Sequence, residues 1–329
     1  MFALSIGLRL WLSSRRIAHI QQHRSEVPES FADKITLKEH QKAADYTTTK
    51  TRFGRLPLFY DAALLLIWTL GGGLEWLDQN IIAMELSPIM TGITVMLAFM
   101  LISSALELPF SVYSTFIIEE KFGFNNTTVK TFIIDIFKGA ALGLAIGVPL
   151  LFAILWLMQQ MGEMWWIYTW LLLSGFSLLI MWIYPTWIAP IFNKFEPLEE
   201  GETLNRIKDL LERCGFSSDG VFVIDGSKRS SHGNAYFSGF GRNKRIVFYD
   251  TLLKMLSDDE LEAVLAHELG HFKKKHIIKS ILISFATTLI GLGILAWLMQ
   301  NDWFYNALGI STASTYMALL LFSIISPVF

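Results

Sequence analysis

The sequence contains a single cysteine, Cys214, which excludes an intramolecular disulfide and any cysteine-rich metal site. Charge is also scarce, since 17% of the 329 residues are Asp, Glu, Lys or Arg, against about 25% in a typical soluble domain. The apolar and aromatic content of 53% and the mean hydropathy of +0.43 exclude a disordered chain and a basic nucleic-acid-binding module. Together these features argue against an ordinary soluble globular protein.

The apolar residues are gathered into long runs with little or no charge. A helix that crosses a bilayer needs about 20 apolar residues, whereas core helices of soluble domains are mostly shorter. Six runs are predicted as membrane spans: Ala62–Leu77, Ser87–Leu106, Gly139–Met161, Met164–Asn193, Ser280–Asn301 and Trp303–Phe329. A shorter apolar segment, Met1–Leu12, has the character of the end of a further span. The sequence therefore predicts an all-α membrane protein with about seven transmembrane helices.

Lys and Arg are absent from alternate connections between these spans. Nine lie in residues 13–60, three in 107–138 and fourteen in 194–279, while residues 78–86, 159–163 and 301–302 have none. Basic loops remain on the cytosolic side of a membrane. The alternation predicts an N-terminus outside or in the lumen and three cytosolic regions, in an endoplasmic reticulum or bacterial inner membrane.

The predicted organisation has three parts. Residues 1–193 carry helices 1–5 with cytosolic loops 13–60 and 107–138, and residues 280–329 carry helices 6–7. Between them, residues 194–279 form a small cytosolic α+β insert. Its predicted elements are a helix over 198–214, strands over 220–225, 234–237 and 245–249, and a helix that Ser257 and Glu260 begin as a capping box.

The last of these helices contains the sequence His267-Glu268-Leu269-Gly270-His271. Residues four apart project from one face of a helix, so the two imidazoles are able to bind one Zn²⁺. Zinc lowers the pKa of water that it binds to about 7, and a neighbouring carboxylate is placed to act as general base. His267 and His271 are therefore candidate ligands of one Zn²⁺ and Glu268 the candidate general base. His276, about 140° further around a continuous helix, is predicted to lie apart from this pair.

A third protein ligand, which catalytic zinc sites normally have, is missing from the sequence. After His271 the only carboxylate is Asp302, which lies on the predicted outer side. Glu260 and Glu262 precede the motif on the same helix, a position that disfavours them as ligands of the same zinc, and Glu119 and Glu120 in the second cytosolic loop stay open as candidates. We therefore expect the chain to be truncated within its last apolar run, with the third ligand beyond Phe329.

Several segments resemble the type I CAAX prenyl proteases, integral-membrane zinc metalloendopeptidases of the gluzincin kind. In chain order these are YTTTKTRFGRL (46–56), LPFSVYSTFIIEEKFGFNNTTVKTFIID (108–135), YPTWIAPIFNKFEPL (184–198), DGSKRSSHGNAYF (225–237), KRIVFYDTLL (244–253) and HELGH (267–271). The resemblance implies a barrel of seven membrane helices around an internal chamber, with the zinc site facing inward. It also implies cleavage of the C-terminal tripeptide from prenylated CAAX proteins or similar membrane-associated peptides.

The same resemblance implies that the segment Asn234, Ala235, Tyr236 and Phe237 is an edge strand that pairs with an extended substrate. Two other enzymes remain open, a membrane quality-control protease of the HtpX kind and an intramembrane site-2-type protease. The site-2 type places its motif within an apolar span, whereas Lys273–Lys275 follow the motif here. An inactive fragment or scaffold that lacks the third ligand is the alternative without catalysis.

Overall fold

The computed structural model describes residues 2–216, 220–238 and 245–326. Its α-helices are α1 (Phe2–Gln22), α2 (Leu37–Phe53), α3 (Arg55–Trp68), α4 (Gly73–Ile82), α5 (Pro88–Tyr113), α6 (Glu120–Phe122), α7 (Val129–Gln160), α8 (Trp165–Ile183), α9 (Ala189–Phe192), α10 (Glu202–Arg213), α11 (Asp250–Met255), α12 (Asp258–Lys273), α13 (His276–Leu298), α14 (Asp302–Asn306) and α15 (Thr315–Ile325). The strands are β1 (Phe195–Pro197), β2 (Val221–Ile224), β3 (Ala235–Ser238) and β4 (Arg245–Tyr249). Two π-helical segments, Ser114–Glu119 and Tyr184–Ile188, continue α5 and α8.

The chain divides into two compact units. One contains residues 1–123 and 295–329, and the other contains residues 124–294. In the first unit, α15 packs on α5, where Gly92 leaves room for the ring of Tyr316. The hydroxyl of Tyr316 donates to Asp78 over 2.7 Å, so this buried carboxyl has a partner.

Membrane-spanning helices account for much of the described chain. Within the described residues, four helical stretches are long and apolar enough to cross a membrane: Pro88–Phe122, Val129–Gln160, Gly162–Phe192 and His276–Leu298. A fifth span results if the bent pair Leu37–Trp68 and Gly73–Ile82 counts as one. A mostly helical membrane protein with a small sheet insert is thus confirmed, while the number of seven spans and the barrel stay predictions. The end of the predicted last span, residues 327–329, lies outside the described residues.

The insert has its own sheet and core within the second unit. The strand order is β1-β2-β4-β3, with β2 and β4 parallel and both outer pairs antiparallel. The three predicted strands are confirmed as β2, β3 and β4, whereas β1 was not predicted from the sequence. The helix α10 begins at Glu202 rather than 198 and ends where Gly215 takes a left-handed conformation (φ 64°).

Apolar residues at helical spacing bury one face of α10 against α12. The insert core contains Leu204, Ile207, Leu210, Leu211, Phe216, Val221, Ile246, Phe248, Leu252, Leu261, Leu265 and Leu269. Three of these, Leu261, Leu265 and Leu269, belong to α12 and lie at its i, i+4 and i+8 positions. This burial fixes the rotation of α12, so residues 267, 268 and 271 lie off the core-facing side.

Candidate active site

The two motif histidines lie together on α12, away from the insert core. Leu265 and Leu269 face that core, and both imidazoles are exposed. The Nε2 atoms of His267 and His271 are 3.2 Å apart. Two nitrogen ligands of one tetrahedral zinc, at about 2.0–2.1 Å each, stand about 3.3 Å apart. The pair therefore fits the two-histidine part of a zinc site.

Glu268 lies beside this pair in the wall of an open groove. The groove has a volume of ≈ 520 Å³, and its wall includes His271, Tyr236 and Phe237. Side chains of α8 and α13 complete the wall: Ser177, Leu178, Met181, His276, Ile277, Ser280, Ile281, Ser284 and Phe285. The candidate base, one candidate ligand and two residues of the predicted substrate strand thus share one mainly apolar groove.

The two helices of the groove wall are joined by a hydrogen bond. The indole N–H of Trp170 on α8 donates to the backbone carbonyl of Phe285 on α13 over 2.9 Å. A backbone carbonyl inside a helix has a lone pair to spare for such a donor. The bond fixes the spacing of the walls that face the motif.

His276 contacts His271, contrary to the sequence prediction. Its Nδ1 is 2.8 Å from the Nδ1 of His271, and the two ring centroids are 5.0 Å apart. The prediction assumed one continuous helix, but α12 ends at Lys273 and Lys275 adopts a positive φ of 55° before α13 begins. That turn brings His276 back to the nitrogen of His271 that faces away from His267. Ligands in metal sites are commonly oriented by a hydrogen bond of this kind to their second nitrogen.

The predicted substrate segment forms the edge strand β3. Ala235–Ser238 pair with β4 in antiparallel register, Tyr236 opposite Val247, and no other described strand pairs with β3. Asn234 precedes the strand, where its side-chain oxygen accepts from the N–H of Ala235. Tyr236 is half-buried in the groove wall, and burial raises the pKa of its phenol to about 12. Its hydroxyl is therefore neutral and able to donate at physiological pH.

The loop before β3 is held by the segment that precedes α7. Asn126 donates to the carbonyl of Ser227 over 2.9 Å, and Thr127 donates to the carbonyl of Arg229 over 3.0 Å. The ring of His232 stacks on Phe124 with centroids 4.3 Å apart. These contacts join two of the segments that carry the family resemblance, although the segments are about 100 positions apart.

Arg229 anchors the same loop to membrane helices. Its guanidinium binds both carboxylate oxygens of Asp135 on α7, at 2.7 and 2.9 Å. It also donates to the side chain of Asn193 over 2.7 Å and to the carbonyl of Phe192 over 2.8 Å. The forked guanidinium supplies all four bonds from one planar group, which lysine is unable to do. Arg229 therefore positions the substrate strand relative to α7 and the end of α9.

Asp250 supports the loop from the side of the sheet. Its carboxylate accepts from the backbone N–H of Ser227 over 2.8 Å, from the hydroxyl of Ser227, and from the N–H of Thr251 over 2.9 Å. Partial burial by itself would raise the pKa of Asp250, but these donors outweigh it and hold the pKa below its usual value. The carboxylate is thus charged at neutral pH.

A third metal ligand is not found in the described part of the chain. Across residues 2–216, 220–238 and 245–326, no group of three or more His, Cys, Asp or Glu side chains is arranged to hold a metal ion. His276 bonds to the far nitrogen of His271, so it does not complete the set. The ligand expected beyond Phe329 stays a prediction.

Comparison with known proteins identifies the family. Residues 16–194 match the family described as CAAX prenyl protease N-terminal, five membrane helices, and residues 197–328 match peptidase family M48. The chain belongs to peptidase family M48, in its CAAX prenyl protease branch. This M48 chain is 36% identical to CAAX prenyl protease 1 of Saccharomyces cerevisiae, over 87% of its own length and 65% of the yeast protein. It is 34% identical to an Arabidopsis thaliana homologue, with 90% and 72% of the two chains covered.

The fold agrees with that assignment. The crystal structure of S. mikatae Ste24p matches with a TM-score of 0.86 and 32% sequence identity, covering 99% of this chain and 82% of that one. Membership in a family of multi-pass membrane metallopeptidases, predicted from the sequence, is confirmed. The roles of the individual site residues are not tested by these comparisons and stay predictions.

Proposed function

We propose that this protein is a zinc-dependent metalloendopeptidase that cleaves the C-terminal tripeptide of prenylated CAAX proteins or similar membrane-associated peptides. The observation that carries the proposal is the shared groove, in which Glu268 and His271 face the edge strand that contains Tyr236 and Phe237. The names of the relatives, CAAX prenyl protease 1 and its homologues, support the substrate class.

The chain's own residues provide three functions in this proposal. His267 and His271 hold the zinc, which when bound supplies Lewis-acid activation of water and of the scissile carbonyl. Glu268 takes a proton from the attacking water and delivers it to the nitrogen of the departing amine. The backbone of Ala235–Ser238 holds the substrate extended along β3, while the apolar wall of the groove accommodates its side chains.

The test is hydrolysis of a farnesylated CAAX peptide by the purified full-length gene product in detergent. Glu268→Gln is expected to lower turnover by a factor of about 10² to 10⁴, the usual contribution of a general base. Glu212→Gln, which changes an exposed carboxylate in the same insert, is the matched control. Equal turnover by the parent and Glu268→Gln, or no zinc-dependent turnover at all, contradicts the proposal.

Metal analysis separates the enzyme from a fragment or scaffold. With two candidate ligands among the described residues, residues 1–329 are expected to lose zinc on dialysis against a mild chelator. Stoichiometric zinc retained by residues 1–329 would show that a residue of this chain completes the site. Such retention would contradict the prediction of a ligand beyond Phe329.

The membrane placement belongs to the same proposal. We infer a multi-pass protein of the endoplasmic reticulum or bacterial inner membrane, with a lumenal or external N-terminus and the insert in the cytosol. Cys214, the only cysteine, is exposed on the insert and serves as a natural topology marker. An impermeant maleimide is expected to label Cys214 from the cytosolic side only, and labelling from the opposite side overturns the orientation.

A further inference from the structure

A second groove, away from the motif, lies in the unit formed by residues 1–123 and 295–329. Its polar part has a volume of ≈ 580 Å³ and is lined by residues of α1, α2 and α3. Four basic side chains, Arg9, Arg16, Lys50 and Arg55, face it. No part of the proposed catalytic chemistry uses these residues.

Three of the four basic groups have no carboxylate partner among the described residues. The guanidinium of Arg55 donates to the hydroxyls of Ser13 and Ser14 over 2.7 and 3.0 Å, and these neutral acceptors leave its charge uncompensated. Among the described residues, no acidic group forms an ion pair with Arg9, Arg16 or Arg55.

The other charges that face the groove do not cancel these three. Lys50 is paired with Glu119 over 2.9 Å. Asp61 also lines the groove but lies outside ion-pair distance of any described arginine. Elsewhere in the chain, by contrast, Arg24 and Arg229 each bind a carboxylate. The groove thus keeps an excess of positive charge.

The polar groove continues into an apolar one. Arg9, Leu58 and Asp61 belong to the walls of both, and the second part has a volume of ≈ 450 Å³. Its remaining wall comes from α1, α3, α5 and α15 and is mainly apolar, with Leu65, Trp68 and Phe99 in it and Glu107 as its one further charged residue. A positive compartment joined to an apolar one matches a molecule with an anionic head and a hydrocarbon tail.

We propose that this double groove binds one anionic glycerophospholipid, with its phosphate among Arg9, Arg16 and Arg55 and an acyl chain along Leu65 and Phe99. Basic pockets between membrane helices recognise anionic headgroups in this way. The lipid joins α1 to α3 and α5, so its binding stabilises this unit.

The test measures binding of dioleoylphosphatidylserine to the whole protein in neutral detergent, by native mass spectrometry and by thermal stabilisation. Dioleoylphosphatidylcholine and water-soluble glycerophosphoserine are the comparison ligands. Phosphatidylserine is expected to bind at least tenfold more tightly than either, and more weakly as salt is added. Equal binding of phosphatidylcholine overturns the charge recognition, and equal binding of glycerophosphoserine overturns the apolar half of the site.

The variants separate the groove from general surface charge. The double change Arg9→Gln with Arg16→Gln is expected to weaken phosphatidylserine binding about 30-fold, as for two interfacial basic residues. Arg15→Gln is the matched control, since that guanidinium lies over the ring of Trp11 at 4.9 Å and does not line the groove. An equal loss with Arg15→Gln overturns the site.

Two further experiments distinguish a loss of lipid binding from misfolding and from a failure of the proposed peptidase activity. The double change of Arg9 and Arg16 to Lys keeps both charges and is expected to retain most of the binding, whereas loss equal to the Gln pair contradicts a charge-based site. Displacement of the lipid by farnesylcysteine methyl ester, which lacks the phosphate, would assign the groove to a prenyl tail instead. Because lipid binding is measured without substrate or zinc, its failure leaves the proposed peptidase activity untouched.

Discussion

Replacing Arg229 with Gln tests whether one ion pair positions the predicted substrate strand. The parent guanidinium makes four hydrogen bonds, two of them to Asp135, and Gln retains at most two donors and no charge. The loop between β2 and β3 then loses its anchor to α7. We expect this loop to open more often while the insert core stays folded.

The magnitude follows from how deeply the pair is buried. The side chains of Arg229 and Asp135 are 25% and 24% exposed, so the pair is neither a surface pair nor a fully buried one. Exposed ion pairs contribute about 0–1 kcal/mol, and breaking a fully buried one costs about 3–5 kcal/mol. An intermediate cost of about 2–3 kcal/mol corresponds to an opening equilibrium about 30- to 140-fold more favourable.

Amide hydrogen exchange in detergent measures this opening directly. The reporter is the N–H of Ser231, which donates to the carbonyl of Phe124 over 3.1 Å and is protected only while the loop is in place. Lys228→Gln, in the same loop and without an ion pair in the described structure, is the control. Exchange at Ser231 within threefold of the parent in Arg229→Gln would refute the reasoning. So would strictly additive effects of Asp135→Asn and Arg229→Gln in a double-mutant cycle.

Three further predictions concern the insert. The depressed pKa of Asp250 means that its contribution to stability is present above about pH 4 and is lost as pH falls through the folded-state pKa. Protection of the Ser227 amide, corrected for intrinsic exchange, should therefore fall on acidification in the parent and change little with pH in Asp250→Asn. His276→Phe should weaken zinc binding about 10- to 100-fold, measured by chelator competition. His276→Asn keeps a hydrogen-bond acceptor and should retain more of the zinc affinity. Equal zinc affinities of the parent and His276→Phe would contradict a positioning role for His276. Phe248→Ala removes a fully buried side chain and should lower the free energy of unfolding, measured with denaturant, by about 3–5 kcal/mol. The control Phe31→Ala changes an exposed side chain and should lower it by less than about 0.5 kcal/mol. Equal losses in the two variants would refute the assigned core.

The sequence alone determined the features that depend on local pattern. The strand Arg245–Tyr249 contains the apolar run Ile246–Phe248 and was predicted with both ends correct. The helix α12 begins at Asp258, where the side chain of Glu260 accepts from the backbone N–H of Ser257 over 2.9 Å, as the capping pattern predicted. His267 and His271 converge because residues four apart meet on any α-helix.

Only the tertiary structure decided contacts between distant segments and the places where helices break. Asp135 and Arg229 are ordinary charged residues in the sequence, and nothing local indicates that one anchors the other. The contact of His276 with His271 depends on a positive φ at Lys275, a conformation that lysine has no intrinsic preference for. The uncompensated charge of Arg55 likewise depends on which side chains surround it, here Ser13 and Ser14. Helix periodicity and capping act over a few residues and can be read from the chain, whereas partners 40 to 100 positions apart are selected by packing of the whole fold.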